Sequence, residues 1–186
     1  MDVVTATVVQ LRPLVEDDWV AVHDWASRED ACRFQAWGPN TPEQTRAFVA
    51  ASAGAWQSSP QSHFPYAVVV GSGVAGMAVL KLARAGQGEI SYSIHPDLWG
   101  RGLATEAARL LLTIGFTDHR LHRIAGTCDP RNVASGRVLV KAGMTYEGRM
   151  RETTWIRDGW RDSDLYAILA HEFPAGDTES AAASFT

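Results

Sequence analysis

The segment from His95 to Glu106, HPDLWGRGLATE, combines residue types suited to binding a phosphate group. The alternating run before it predicts a strand that ends at Ile94, and the Ala- and Leu-rich run after it predicts a helix that begins near Gly102. The first N–H groups of a helix lack intrahelical partners and carry partial positive charge, so they attract anions. Gly100 and Gly102 have no Cβ, so a ligand can approach the main chain. Taken alone, however, Gly-Arg-Gly more often makes only a tight turn.

Other candidate chemistry in the sequence is weaker. The run from Gly71 to Gly76 matches the dinucleotide-binding fingerprint, but Val74 to Leu82 alternates like a strand, and Glu89 opens a strand rather than closing one. Cys128 ends an apolar strand, which predicts a buried structural thiol rather than a nucleophile. The six histidines show no metal-site spacing, so we expect no metal.

The elements that position the phosphate segment follow from hydrophobic periodicity and turn signals. Strands are predicted at residues 8–13, 64–70, 74–83, 89–94 and 122–128, followed by a closing hairpin at 145–156 and 160–170 around Asp158-Gly159. Helices are predicted from a cap at Asp17 or Asp18 to Ala26, and at 42–55, 105–117 and 132–142. This order predicts an α+β domain with a mixed, mostly antiparallel sheet and helices on both faces.

Length and composition bound the class of protein. A chain of 186 residues with 46% apolar and 20% charged residues fits one globular domain, which we place at residues 1–173, with a disordered tail at 174–186. The net charge of −4 gives no overall field for nucleic acid. Two distant cysteines, no secretory signal and no membrane-length apolar run predict a cytoplasmic protein with no membrane partner.

Several segments together resemble one family. The phosphate segment is similar to the acyl-CoA-binding motif of the GNAT superfamily of acetyltransferases, which falls here on Trp99, Gly102 and Ala104, with Trp99 in place of the usual Gln or Arg. Residues 98–107 resemble the branch of the ribosomal-protein N-terminal (alanine/serine) acetyltransferases. Segments 129–135 and 141–144 resemble the family's Asn-x-x-Ser helix and the Gly-Phe step that follows it, and the resemblance extends over residues 8–171.

The resemblance implies a single GNAT-type domain with about seven strands, in which the strand ending at Ile94 diverges from strand 122–128. The pantetheine arm of the cofactor would lie in the resulting groove. Cofactor binding would fall to Ile94, Trp99, Gly100, Arg101, Gly102, Leu103, Ala104, Thr105, Asn132 and Ser135, and catalysis to Glu89, Ser135 and Ile94.

The resemblance also implies a role for each catalytic residue. The Ile94 N–H would face the oxyanion, and Ser135 would protonate the departing thiolate. Glu89 would take the proton of the amine; the alternative, that it only solvates a strand edge, stays open. Weaker candidates are Glu147, Glu152 and Asp162 as base and Tyr146 as acid.

The function implied by the resemblance is direct transfer of an acetyl group from acetyl-CoA to a primary amine, either a protein N-terminus or a small molecule. The alternative is a non-catalytic acyl-CoA-binding module with the same fold. A homodimer formed through the hairpin is expected by family analogy, and no nucleic-acid partner is expected. The acceptor pocket could be walled by aromatic residues, although core packing is the default for Trp19, Trp25, Phe34, Trp37, Trp56 and Trp155.

Overall fold

The computed structural model describes residues 8–84 and 86–174. Within them the chain forms seven strands: β1 (Val9–Pro13), β2 (His63–Val70), β3 (Gly73–Leu82), β4 (Gln87–Ile94), β5 (Arg123–Cys128), β6 (Thr145–Ile156) and β7 (Gly159–Leu169). The same residues form five α-helices: α1 (Trp19–Ala26), α2 (Glu29–Cys32), α3 (Pro42–Gly54), α4 (Leu103–Thr117) and α5 (Val133–Lys141). No helix of these residues is both long and apolar enough to cross a membrane. Apart from Pro174, the tail predicted at 174–186 lies outside the described residues.

The strands form one sheet in the order β1-β2-β3-β4-β5-β7-β6. Every neighbouring pair is antiparallel except β4 and β5, which run parallel. The predicted α+β domain with a mixed, mostly antiparallel sheet of seven strands is therefore confirmed.

Helices cover both faces of the sheet, as predicted. On one face α4 and α5 pack over the central strands, in a core that includes Leu111, Leu112, Ile124 and Leu139. On the other face α1 and α3 cover a smaller cluster around Trp25. Burial of these apolar side chains stabilises the packing of the sheet between the two helical layers.

The bounds of the predicted elements agree with the structure to within a few residues, but one helix and one helix cap differ from the prediction. The short helix α2 was not predicted. Asp18 does precede α1, but its carboxylate makes no capping bond and instead pairs with Arg12, at 2.6 and 2.7 Å, and with the Val15 N–H at 3.0 Å. The predicted capping box of α3, formed by Thr41 and Gln44, is present.

The run from Gly71 to Gly76 forms the β2–β3 turn and part of β3, so it does not open a dinucleotide-binding helix. Gly76 faces Ile94 across the β3–β4 ladder. A Cβ at Gly76 would lie 2.3 Å from the Ser93 carbonyl oxygen, so this glycine allows β3 to lie close to β4.

Candidate active site

A groove opens where β4 and β5 separate. The two strands are paired only at Gln87–Glu89 against Arg123–Ala125. Beyond that point β5 continues to pair with β7 through Cys128, while β4 continues to pair with β3 through Ile94. The central sheet is therefore split from Ile90 onward.

The β4 edge of the groove presents main-chain groups that β5 no longer pairs. The His95 N–H donates to the Ala75 carbonyl at 2.9 Å, on the side of β3. Because main-chain groups alternate along a strand, those of Tyr92 and Ile94 point toward the groove. An extended ligand could pair with this edge as an additional strand.

The loop after β4 supplies free N–H groups at the end of the groove. Gly102 is the N-cap of α4, with φ +80°, and Gly100 has φ +77°. Among the described residues, the N–H groups of Gly100 to Ala104 have no hydrogen-bond partner, and a Cβ on either glycine would meet nothing within 4 Å. The loop therefore has the free donors and the open space that a diphosphate requires.

Three of the residues predicted to bind the phosphates, Arg101, Leu103 and Thr105, differ in the groups that they offer to a ligand. The Thr105 N–H is already bonded to the Gly102 carbonyl at 3.0 Å, so it offers no free donor. The side chains of Leu103 and Thr105 are buried, so of these two residues only the Leu103 N–H is available. The Arg101 side chain is exposed and makes one long contact, 3.4 Å, with the Asp97 carbonyl.

Trp99 has a structural contact that the sequence did not predict. Its indole Nε1 donates to the Ile94 carbonyl at 2.7 Å, although about half of the side chain is exposed. The Ile94 carbonyl therefore already accepts one hydrogen bond, and its second lone pair stays available to a ligand beside the Ile94 N–H.

The opposite wall of the groove is the first turn of α5. Asn132 caps this helix, with its side-chain oxygen accepting from the Ser135 N–H at 3.2 Å. The Tyr92 hydroxyl reaches across from β4 and lies 3.1 Å from both the Ser135 carbonyl and the Ser135 Oγ. Burial raises the pKa of Tyr92 above its ordinary value. Ser135 thus has a neutral phenol as its neighbour, and strand alternation from Ile94 could have indicated Tyr92.

Two further titratable groups border the same wall. Burial raises the pKa of the Cys128 thiol to about 11, which keeps it protonated at neutral pH, in agreement with a structural thiol. The Asp129 carboxylate accepts from Arg131 Nε at 2.9 Å and Nη2 at 2.5 Å, and these bonds hold its pKa below the ordinary value. Asp129 is therefore ionised and already paired.

The groove widens into a cavity of about 230 Å³. Its walls come from the segment 34–37, from β4, from the end of β5 with α5, and from the β6–β7 hairpin. The lining residues are Phe34, Gln35, Ala36, Trp37, Ile90, Ser91, Tyr92, Thr127, Cys128, Asp129, Asn132, Ser135, Leu139, Thr154, Ile156, Arg161, Asp162 and Ser163. Of the aromatic residues considered from the sequence, Phe34 and Trp37 line the cavity, whereas Trp25 is fully buried in the core.

Arg157 at the tip of the hairpin holds the segment 34–37 in place. Its Nη2 donates to the carbonyls of Cys32 at 2.9 Å and Gly38 at 3.3 Å, and its Nη1 to that of Arg33 at 3.5 Å. These partners lie 119 to 125 residues earlier in the chain. No local sequence pattern could have indicated this contact.

Glu89 lies apart from the cavity. It is paired with Lys81 on one side and with Ala125 on the other, at the closed end of the split, and its side chain is exposed. Five residues of strand, about 16 Å, separate it from Ile94. Of the weaker candidates, Asp162 lines the cavity, whereas Glu147 pairs with Arg123 and Tyr146 lies against Tyr166, both outside it.

Comparison with known proteins identifies the family. The family model described as acetyltransferase (GNAT) domain matches residues 9–145. YnaD of Bacillus subtilis, an uncharacterised N-acetyltransferase, is 31% identical over 171 residues, 91% of this chain and 98% of YnaD. The chain belongs to the GNAT acetyltransferase family. It is an acyl-CoA-dependent N-acetyltransferase.

Solved structures share the GNAT fold. An acetyltransferase of the family from Bacillus anthracis superposes with a TM-score of 0.77 at 32% identity, covering 90% of this chain and 98% of that one. RimL, the ribosomal L7/L12 alpha-N-protein acetyltransferase, solved in complex with coenzyme A, superposes with a TM-score of 0.77 at 21% identity, over 90% of this chain and 96% of RimL. The predicted family is confirmed, and acetyl-CoA is the cofactor of this GNAT enzyme. Among the described residues, no group of three or more His, Cys, Asp or Glu could hold a metal ion.

Proposed function

We propose that the protein transfers an acetyl group from acetyl-CoA to a primary amine by direct attack within the groove between β4 and β5. The observation that supports this most is the split of the central sheet after Glu89. It leaves a free main-chain edge that leads to the unpaired N–H groups of the α4 N-terminus. One contiguous surface can therefore bind both an extended amide-containing arm and a diphosphate.

The loop and β4 would hold the donor through main-chain atoms. The N–H groups of Gly100 to Ala104 would bind the diphosphate, with Arg101 adding charge nearby. Asn132 would contact the arm through its amide nitrogen, since its oxygen caps α5. Bound acetyl-CoA supplies an activated thioester, and every other element of the reaction falls to residues of this chain.

Ile94 and Ser135 would act on opposite sides of the reacting carbon. The Ile94 N–H points into the groove and would stabilise the negative charge that develops on the acetyl oxygen, a contribution of about 10²-fold or more. As the C–N bond forms and the C–S bond breaks, the Ser135 hydroxyl would give a proton to the leaving sulfur. Tyr92, 3.1 Å from the Ser135 Oγ, would orient that hydroxyl and replace its proton.

The base that removes the proton of the amine has two candidates. An alkyl ammonium has an ordinary pKa near 10, so a base contributes strongly at neutral pH. Glu89 stays the prediction from the family, and Asp162 is the alternative that lines the cavity. The variants E89Q and D162N, compared through the pH dependence of kcat, decide between them. The variant that loses the acidic limb of the profile identifies the base, and two unchanged profiles would exclude both residues.

Three finer expectations stay predictions. The acceptor is either a protein N-terminus or a small-molecule amine. The cytoplasmic location is supported by two free cysteines, Cys32 and Cys128, both buried. A homodimer formed through the hairpin is supported by the exposed aromatic rings of Tyr146, Trp155 and Trp160 on β6 and β7. Light scattering of the purified protein measures the oligomeric state.

Calorimetry and a thiol-release assay test the proposed function. We expect CoA and acetyl-CoA to bind, and thiol release to accelerate when a suitable primary amine is added. Binding of CoA without turnover of any amine would favour the non-catalytic module. If calorimetry detects no heat of binding at millimolar CoA, the proposal that the groove binds the donor is wrong.

A further inference from the structure

Arg161 is the only basic residue among the described residues that line the cavity. Its Nε atom is buried and has no hydrogen-bond partner, and it is the only buried side-chain nitrogen or oxygen of the described chain in that condition. Buried polar groups are nearly always paired, so an isolated one calls for an explanation. Arg161 lines the cavity, so a turn of its guanidinium away from its present partners would bring Nε to a ligand bound there.

The present partners of Arg161 are weak competitors for such a ligand. Its Nη2 pairs with Asp158 at 2.7 Å, but the Asp158 side chain is 84% exposed. Its Nη1 donates to the Trp160 carbonyl at 3.0 Å. Exposed ion pairs contribute little because water and salt screen them. The guanidinium can therefore leave Asp158 when a better acceptor enters the cavity.

The two carboxylates that line the cavity, Asp129 and Asp162, differ in whether they already have a cationic partner. Both carboxylate oxygens of Asp129 accept hydrogen bonds from the Arg131 guanidinium, so its charge is already paired. Asp162 accepts one bond, from the Glu152 N–H at 3.0 Å, and forms no salt bridge with any described residue. The cavity wall thus contains a guanidinium with an unpaired N–H, that of Arg161, and a carboxylate without a cationic partner, that of Asp162. A molecule that carries both charges complements it.

We propose that Arg161 binds an anionic group, carboxylate or phosphate, carried by the amine acceptor itself. The proposal rests on the proposed function and deepens it, because it restricts the acceptor to zwitterionic amines and disfavours polyamines. The planar guanidinium presents its donors as a fork that matches two oxygens of a carboxylate or phosphate, so Nε gains the partner that it lacks. The ammonium of the acceptor would lie toward Asp162 before it is deprotonated.

Matched pairs of acceptors test the inference. The pairs are amino acids against their carboxamides, peptides beginning Ser-Asp against Ser-Asn, and phosphoethanolamine against ethanolamine, with spermidine as a polycation. For the wild type we expect kcat/KM to favour the anionic member of at least one pair by about 10- to 100-fold, the size of a charge-assisted hydrogen bond. The preferred pair also tells whether carboxylate or phosphate is bound. For R161Q we expect that ratio to fall close to 1.

Two further variants complete the test. D158N removes the competing carboxylate at an exposed position, so the preference should rise by up to about fivefold even if R161Q folds poorly. R151Q removes an exposed arginine of the same hairpin that does not line the cavity, and should keep the wild-type ratio. If the enzyme acetylates amines without preferring the anionic members of the pairs, or if R161Q keeps that preference, the inference about Arg161 is wrong while the proposed function still holds. Absence of turnover with every amine would count against the proposed function as well.

Discussion

The two sides of the groove that we assign to the donor and to the acceptor are built in different ways. The donor side consists mainly of residues 90–105, with Asn132 added from the start of α5. The internal contacts of this segment are local: Trp99 with Ile94, and Thr105 with Gly102. The acceptor side joins the segment 34–37 to the β6–β7 hairpin, through an Arg157 contact that spans 125 residues of sequence. One side is encoded largely in a single stretch of sequence, while the other is assembled only in the folded chain.

In the proposed function the two sides also recognise their ligands with different atoms. On the donor side the free groups are main-chain N–H donors, which every residue except proline carries. On the acceptor side the charged groups are side chains, Arg161 and Asp162. Main-chain recognition needs only the right backbone shape, which glycines provide, so the side chains around it can vary. Side-chain recognition changes with a single substitution, which is how one fold can serve many acceptors.

The largest expected effect is on the donor side, in G102A. Gly102 has φ +80° and open space at its Cβ position, so the alanine methyl meets no protein atom but intrudes where the diphosphate would lie. We expect the dissociation constant for CoA, measured by calorimetry, to rise about 100-fold or more, the loss of two or more charge-assisted bonds.

G71A is the matched control for G102A. Gly71 has φ +61° and also has nothing within 4 Å of its Cβ position, but it lies in the β2–β3 turn. Both variants should lose about 1 kcal/mol of folding free energy from the left-handed backbone. Only G102A should lose CoA. Equal CoA affinity in the two variants would show that the loop at Gly102 does not bind the donor.

The next effect concerns the wall that the two sides share. S135A should lower kcat by about 10- to 100-fold, because the leaving sulfur loses its acid. Y92F removes the hydroxyl that lies 3.1 Å from Ser135 Oγ and should lower kcat less. If the two residues act as a unit, the double variant should be no slower than S135A, so the effects should not add. Additive losses in single-turnover rates would separate Tyr92 from Ser135.

Sequence reasoning succeeded where the determinants were local. The α3 capping box, the strand ending at Ile94 and the helix after Gly102 follow from spacing and residue type, and each is present. The Trp99 contact and the Asp18–Arg12 pair were missed because the sequence offers each of those side chains several nearby groups to pair with, and only the folded chain selects one. The acceptor wall could not be predicted, because only the fold brings its segments together.

A smaller effect should appear when the acceptor side alone is loosened. R157A removes the donors to Cys32, Arg33 and Gly38, so the segment 34–37 loses its tie to the hairpin. We expect KM for the amine to rise about tenfold, the value of about one net hydrogen bond to a charged group. CoA affinity should stay within twofold, since no donor-side residue contacts Arg157 directly among those described. R151A is the control, and a parallel loss of CoA affinity would show that the two sides are not independent.

The smallest effect concerns an ion pair outside both sides of the groove, Arg12 with Asp18, and is measured through its pH dependence. Burial raises the pKa of the Asp18 carboxyl, but hydrogen bonds from Arg12 and from the Val15 N–H outweigh burial, so its pKa lies below the ordinary value. A lowered folded-state pKa means that the ion pair stabilises the fold above the unfolded value, near 3.9, and that this contribution is lost as the pH falls through the folded value.

D18N should therefore lower the free energy of unfolding by about 1–2 kcal/mol at pH 7, and the difference from wild type should shrink as the pH falls below about 4. Urea titrations at pH 7, 5 and 3.5 measure this difference, with D17N, at an exposed neighbour, as the control. CoA affinity at pH 7 should not change, because Arg12 and Asp18 join β1 to the entry of α1, on the face of the sheet opposite α4. A difference that stays constant down to pH 3.5 would mean that packing around Asp18, rather than its charge, carries the stabilisation.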